Sequence, residues 1–269
     1  MNDSRLDITR AHPARRYDYW LGGKDNFAAD RESGDLVAEQ FPAIRTAVVE
    51  NRKFLRRAVT YLSERGMRQF LDVGTGLPTA DNTHEVAQRI APESRIVYVD
   101  NDPLVLSHAR ALLTSTPQGR TAYLDADLRD PGVILADPVL RATLDLSQPV
   151  ALMLVSVLHF VTDDTIAHRA VRTLLDALPA GSYLVLSHAT NDFMPADAVE
   201  GIAAADRATR VDFGFRTREQ IAAFADGLQL VEPGIVSTAE WRPEPGDDPP
   251  PAREDTAGWC LLARKPHTA

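Results

Sequence analysis

The residues of this chain most able to do chemistry stand at the ends of apolar runs. Phe70-Leu71 leads into Asp72-Val73-Gly74-Thr75-Gly76, a strand-like run closed by a carboxylate and then two glycines one residue apart. Glycine permits a tight turn and lets the backbone pass close to a bound nucleotide-like molecule. Further on, Ile96-Val97-Tyr98-Val99 ends at Asp100, followed by Asn101-Asp102-Pro103. A carboxylate at the end of the second strand of such a unit is placed to hold ribose hydroxyls. Polar groups recur at the ends of the next apolar runs, at Asp127, Ser156 and His188. Ligands of open α/β sheets lie outside the carboxyl ends of the strands, so this row predicts one site.

The details around the glycines select the ligand. A dinucleotide fingerprint needs a third glycine, and the chain has Leu77-Pro78-Thr79 there. Asp72 would also add negative charge beside a pyrophosphate. It suits a ligand that carries a cation, as S-adenosylmethionine does in its ammonium and sulfonium groups. Asp72-Val73-Gly74-Thr75-Gly76 resembles the first motif of class I S-adenosylmethionine-dependent methyltransferases.

The resemblance extends along nearly the whole chain. It runs in order through Tyr17–Phe27, Asn51–Val59, the Gly74 loop, Tyr98–Pro103, Asp125–Pro131 and Val155–Phe160. That series is similar to a bacterial family of S-adenosylmethionine-dependent methyltransferases whose substrate is unassigned. The resemblance implies that Asp72 holds the methionyl ammonium and Asp100 the two ribose hydroxyls. Gly74, Thr75 and Gly76 let the backbone approach. Asp127, with Asp125 as competitor, would accept from the adenine amino group while the Leu128 N–H faces a ring nitrogen. Asn101 lies against the adenine edge or caps the next helix; Asp102, before Pro103, is the better N-cap. Tyr17-Asp18 and Asn26-Phe27 look like an element that closes over the cofactor, with the Tyr17 hydroxyl near the carboxylate or sulfonium and Lys24 paired to a carboxylate. Tyr19 and Trp20 read as core packing of a helical cap.

His159 is the general-base candidate, because it follows the fourth strand and an imidazole titrates near working pH. Displacement at an activated carbon can instead take its rate from positioning alone, so a structural or substrate-positioning histidine is an equal alternative. His84 reads as structural. Neither His nor Cys is grouped at metal-ligand spacing, and no metal is expected.

Composition narrows the partners. The 269 residues are 44% hydrophobic and 25% charged, ordinary for a soluble globular protein with a sizeable core. The formal net charge of -9 argues against a nucleic-acid partner. The basic run Arg52-Lys53 with Arg56-Arg57 stands at helical spacing beside Phe54, Leu55, Val59 and Leu62, and reads as a solvated helix face. Cys260 is the one cysteine, in an apolar run, and reads as a small buried hydrophobe. The N-terminus lacks a hydrophobic signal core and no apolar stretch is long enough to span a bilayer, so a cytoplasmic protein without membrane contact is expected.

The elements must bring these residues together. Residues 1–66 read as a helical N-terminal cap, with helices over Asp30–Gln40 and Ala43–Glu64 and a loop from Gly22 to Asn26. The remainder, 67–269, reads as the cofactor-binding core, with a lid insertion at about 192–225. Strands are expected at 68–73, 95–100, 120–125, 149–156 and 181–189, and helices near 78–90, 103–115, 131–140 and 164–178. Helices follow at Pro195–Thr209 and, behind a Thr217–Gln220 capping box, at Ile221–Phe224. Strands at Leu228–Ala239 and Trp259–Arg264 then flank a proline-rich acidic loop at 242–251. The expected fold is α/β and Rossmann-like: a mostly parallel seven-stranded sheet with an antiparallel edge hairpin. The expected function is methyl transfer from S-adenosylmethionine to an O or N atom of a small molecule. A non-catalytic sensor of that cofactor and an NAD-dependent oxidoreductase are the rivals.

Overall fold

In the computed structural model, which describes residues 6–112, 115–244 and 249–267, the apolar runs pair into a single sheet. Its strands are β1 (Gln69–Val73), β2 (Arg95–Asp100), β3 (Arg120–Asp125), β4 (Ala151–Val155), β5 (Tyr183–Ala189), β6 (Gln229–Leu230), β7 (Val236–Ser237) and β8 (Gly258–Arg264). Their order is β3-β2-β1-β4-β5-β8-β6, with β7 also paired to β8. The first five strands are parallel, and β8 runs antiparallel to β5, β6 and β7. The order reverses between β1 and β4, and the carboxyl ends of the parallel strands open a crevice there.

Side-chain alternation explains why helices cover both faces. Phe70, Ile96, Tyr98, Met153 and Val185 point to one side and pack with Phe54, Leu55 and Leu62 of α3 (Ile44–Glu64) and with Val86 and Ala87 of α4 (Thr83–Ile90). Leu71, Val97, Leu152, Leu154 and Leu184 face the other way. They meet α6 (Pro131–Ala136), α7 (Pro138–Thr143), α8 (Asp164–Asp176) and α10 (Arg218–Ala222), while α5 (Pro103–Leu112) follows β2. A third cluster lies apart from the sheet. It includes Trp20 of α1 (Pro13–Trp20), Val37 of α2 (Ala28–Gln40), Val48 of α3 and Ile202 of α9 (Ala196–Thr209). A one-turn helix, α11 (Arg253–Thr256), precedes β8.

Several boundaries differ from expectation for local reasons. The helix expected from 78 begins at Thr83, because Asn82 is its cap: its N–H donates to Glu85 Oε2 at 2.9 Å while its side chain grips the Thr79 backbone. Pro78 therefore lies in the loop. The helix expected over 131–140 breaks at Asp137, whose carboxylate caps a new helix starting at Pro138. The strand expected over 228–239 is interrupted by Pro233, which cannot donate to a ladder, and Gly234 at φ +85, so the sheet has eight strands where seven were expected. Residues 245–248 of the 242–251 loop, and 113–114 at the end of an expected helix, lie outside the described residues. No described helix is long and apolar enough to cross a membrane.

Candidate functional site

A cleft of about 430 Å³ lies at the carboxyl ends of β1, β2 and β4 and of the segment after β3. Asp72, Gly74, Thr75, Gly76, Asp100, Asn101, Asp127, Leu128 and Ser156 all line it, as does Tyr17 from α1. Lys24 and Asn26 do not. Lys24 is exposed, and Asn26 donates to Asp18 Oδ2 at 2.8 Å, which ties the 22–26 loop to α1. His159 lies outside this cleft too, in a neighbouring cavity.

The glycine loop is shaped by φ values of +76 at Gly74 and +68 at Gly76. A Cβ on Gly74 would stand 2.2 Å from Val157 Cγ2, whereas one on Gly76 would meet nothing within 4 Å. Gly74 thus packs against the β4 side, and Gly76 turns bare backbone to open space. Its N–H donates to Asp100 Oδ2 at 2.8 Å, and Asp102 N–H donates to Asp100 Oδ1 at 3.0 Å. Each carboxylate oxygen retains a second lone pair for a ligand hydroxyl. Asp102 caps α5 through Leu104 N–H and pairs with Arg15 and His12, both at 3.1 Å.

Three carboxylates at the cleft sit in three electrostatic settings. Asp72 is buried and accepts from the Thr83 hydroxyl at 2.6 Å. Burial pushes its pKa up to about 6, against the pull of Thr83 and Arg52. Asp100 is raised as well, again by burial before its backbone hydrogen bonds oppose it. Asp127 feels burial most, yet a fork from Arg129 (2.9 and 2.6 Å), the Arg129 N–H and Asn101 Nδ2 at 2.9 Å together hold it down to about 2. Asp125 is exposed and lines nothing here.

Arg52 was not anticipated. It lines the cleft close enough to lower the Asp72 pKa, and its guanidinium fixes the glycine-loop exit through Ala80 and Asp81 carbonyls at 3.0 and 3.2 Å. The solvated-face reading of the basic run fails there and at Arg57, which is buried and donates to Trp241 O at 2.8 Å and Thr238 O at 2.7 Å. Long basic side chains at helical spacing look alike whether they reach solvent or cross a packed interface.

Next to the cleft lies a second cavity of about 100 Å³, and Tyr17, Asn51, Ser156 and Phe160 line both. The shared wall is hydrogen-bonded throughout. Ser187 Oγ donates to Asn51 Oδ1 at 2.6 Å, Asn51 Nδ2 to Tyr17 Oη at 2.9 Å, and Tyr17 Oη to Val48 O at 3.0 Å. Ser156 adopts φ +55, a left-handed conformation that costs a non-glycine residue about 1–2 kcal/mol. Such strain collects at functional positions. Asn51 stands within the Asn51–Val59 run of the resemblance, inside α3, but nothing in the sequence set it apart from its helical neighbours.

Two histidines border the second cavity. His188 is buried, with Nδ1 at 2.7 Å from Ala189 O and Nε2 at 2.8 Å from Arg216 Nη1. Arg216 can only donate, so the ring proton sits on Nδ1. Burial, then the Arg216 charge, hold its pKa down to about 3 despite the Ala189 carbonyl. His159 is pushed well below the ordinary imidazole range by burial, with His188, Arg16 and Arg216 adding to it. Its Nδ1 accepts from Ala189 N–H at 3.4 Å, which leaves the proton on Nε2. His84 is buried and lines neither cavity, with its backbone N–H donating to Tyr98 Oη at 2.7 Å and its Nδ1 2.8 Å from the same hydroxyl.

Comparison with known proteins identifies the family and the fold. A family model described as S-adenosyl methyltransferase matches residues 1–266. A DUF574-family protein from Streptomyces avermitilis shares 48% identity, with a TM-score of 0.93 over 97% of this chain and 100% of its own. A candidate methyltransferase from Thermobifida fusca shares 43% identity, with a TM-score of 0.90 over 98% of each chain. The magnesium protoporphyrin IX methyltransferase of Synechocystis, solved with bound S-adenosylmethionine, shares the fold at 13% identity and a TM-score of 0.52, over 98% of this chain and all of its own. No curated protein matches. With the family model spanning almost every residue, the chain belongs to the S-adenosyl methyltransferase family.

Proposed function

We propose that this S-adenosylmethionine-dependent methyltransferase holds its cofactor in the larger cleft and passes the methyl group to an O or N atom of a small molecule. When bound, the cofactor supplies a methyl group on a sulfonium, already activated for displacement. Asp72 takes the ammonium and Arg52 the carboxylate of its amino-acid end, an opposed pair matched to a zwitterion. Asp100 takes the ribose hydroxyls, and Asp127 with the Leu128 N–H takes the adenine edge, flanked by Asn101. Thr75 lines the loop between the two glycines.

The protein's part in the chemistry is positioning. His159 carries its proton on Nε2 and resists a second one, so it acts as a hydrogen-bond donor to the acceptor and not as a base. Rate then comes from holding acceptor and methyl group in line and away from water. Helices α1, α2 and α9 form the lid, and Arg210, Val211 and Asp212 beyond α9 reach back to the cleft.

The observation that carries this reading is the opening of Asp72 of β1, Asp100 of β2 and Asp127, just after β3, onto one cleft beside Gly76. Calorimetry with S-adenosylmethionine and S-adenosylhomocysteine tests it. Asp100→Ala is expected to weaken both at least 30-fold, about 2 kcal/mol for a lost pair of charge-assisted hydrogen bonds. Unchanged affinity in that variant would remove the cleft from consideration.

A further inference from the structure

We propose that the second cavity receives the methyl acceptor, and that the acceptor is an uncharged, single-ring aromatic compound bearing an O–H or N–H donor. The proposal rests on the cofactor occupying the larger cleft. Its position follows from the shared wall: Ser156, Asn51 and Phe160 line both cavities, so a ligand in one lies next to a ligand in the other.

Size limits the ligand first. A cavity of about 150 Å³ holds benzene, so one of about 100 Å³ takes at most a single small ring, part of it directed toward the adjoining cleft, and no fused system. The walls specify an aromatic. Phe213 stands 5.0 Å from both the His159 and Phe215 ring centroids, and Phe160 lies 4.3 Å from His159, so an edge-and-face corner is already assembled. Trp20 and Phe41 line the cavity as well.

Charge limits it next. Arg16 of α1 and Asp206 of α9, both buried, pair across 190 residues of chain. Both neighbouring histidines are neutral. The cavity therefore carries no net charge, and a charged ligand would enter without a counter-ion.

The polar atoms left over specify the donor. Asp206 Oδ1 accepts from Arg16, but Asp206 Oδ2 has no hydrogen-bond partner among the described residues, nor have Thr238 Oγ1 and the donor Arg16 Nε, so the cavity offers a ligand hydroxyl or amine both an acceptor and a donor. All three residues line the cavity and are at least nine-tenths buried. A buried carboxylate oxygen calls for a donor. An aryl hydroxyl or amine can supply one to Asp206 Oδ2, which takes that proton as the O or N lone pair bonds to the methyl carbon and the C–S electrons stay on sulfur. A hydroxyl keeps a second lone pair that can accept from His159 Nε2.

The test uses the protein saturated with S-adenosylhomocysteine and titrated, under calorimetry or ligand-observed NMR, with phenol, aniline, toluene, benzoate and 2-naphthol. Phenol and aniline are expected to bind, toluene at least tenfold more weakly, and benzoate and naphthol not at all. Ala47→Phe, at a half-buried α3 position that lines only the second cavity, is expected to abolish ring binding and leave S-adenosylhomocysteine affinity unchanged. Benzoate binding as tightly as phenol would overturn the proposal. So would ring binding that survives Ala47→Phe, or no ring binding to a protein that holds S-adenosylhomocysteine. Failure to hold S-adenosylhomocysteine at all would instead overturn the cleft assignment on which it rests.

Discussion

At the scale of single residues, Asp72 shows how burial sets a working range. Its carboxyl titrates near pH 6, with Thr83, Arg52 and Asp100 as the groups that act on it besides burial. A folded pKa raised above the unfolded value contributes stability that is full below about pH 4 and lost as pH rises through 6. Ligand binding runs the opposite way, because only the ionised carboxylate attracts an ammonium. Affinity for S-adenosylmethionine should therefore fall between pH 7 and pH 5, about tenfold, while Asp127, held near 2, stays ionised throughout. In Asp72→Asn the affinity should be weaker at pH 7 and flat across the same range. Calorimetry at several pH values checks both. The cleft carboxylates were readable because each closes an apolar run. Arg52, Asn51 and Arg129 were not, because their roles depend on neighbours supplied by distant segments.

At the scale of elements, hydrophobic alternation made the parallel strands legible and turn chemistry moved the boundaries. Asn82 with Glu85 is a helix-start signal visible in the chain, yet Pro78 offered a competing one nearer the glycines. Helix α3 was legible as a helix but not as a layer of the core. Its Phe54, Leu55 and Leu62 cover the sheet, and Arg57 reaches through to the 238–241 segment that precedes β8. Beside it the buried Trp241 packs edge-on to Phe54 and Tyr61, each at 5.6 Å. Arg57→Met keeps the apolar stem but leaves the Trp241 and Thr238 carbonyls without their guanidinium donor. Each buried group left unpaired costs about 1–3 kcal/mol, so the variant should lose about 2–4 kcal/mol in urea unfolding. Cofactor affinity should not change, since Arg57 lines neither cavity.

At the scale of the whole molecule, α1 acts as a clasp between the two halves of the site. One end is fixed to the sheet domain, where Arg15 and His12 meet the Asp102 cap of α5. From the same helix Arg16 reaches α9, and Trp20 joins the cluster that includes Val37 and Ile202. That cluster shares no residue with the two that hold the sheet, so α1, α2 and α9 can loosen without costing the core its packing. A ligand that rests on Asp100 and Tyr17 touches both halves and should tighten the clasp. Hydrogen exchange with and without S-adenosylhomocysteine should then show amides of 13–20 and 196–209 slowing together, with those of β1, β4 and β5 unchanged. Arg15→Ala removes one partner of a buried ion pair, a loss of about 3–5 kcal/mol where no other group compensates, and His12 compensates in part. In that variant α1 should exchange at least tenfold faster in the free protein and recover only at higher ligand concentration. If α1 and α9 respond independently, the lid is two separate flaps and the Arg16–Asp206 pair does not couple them.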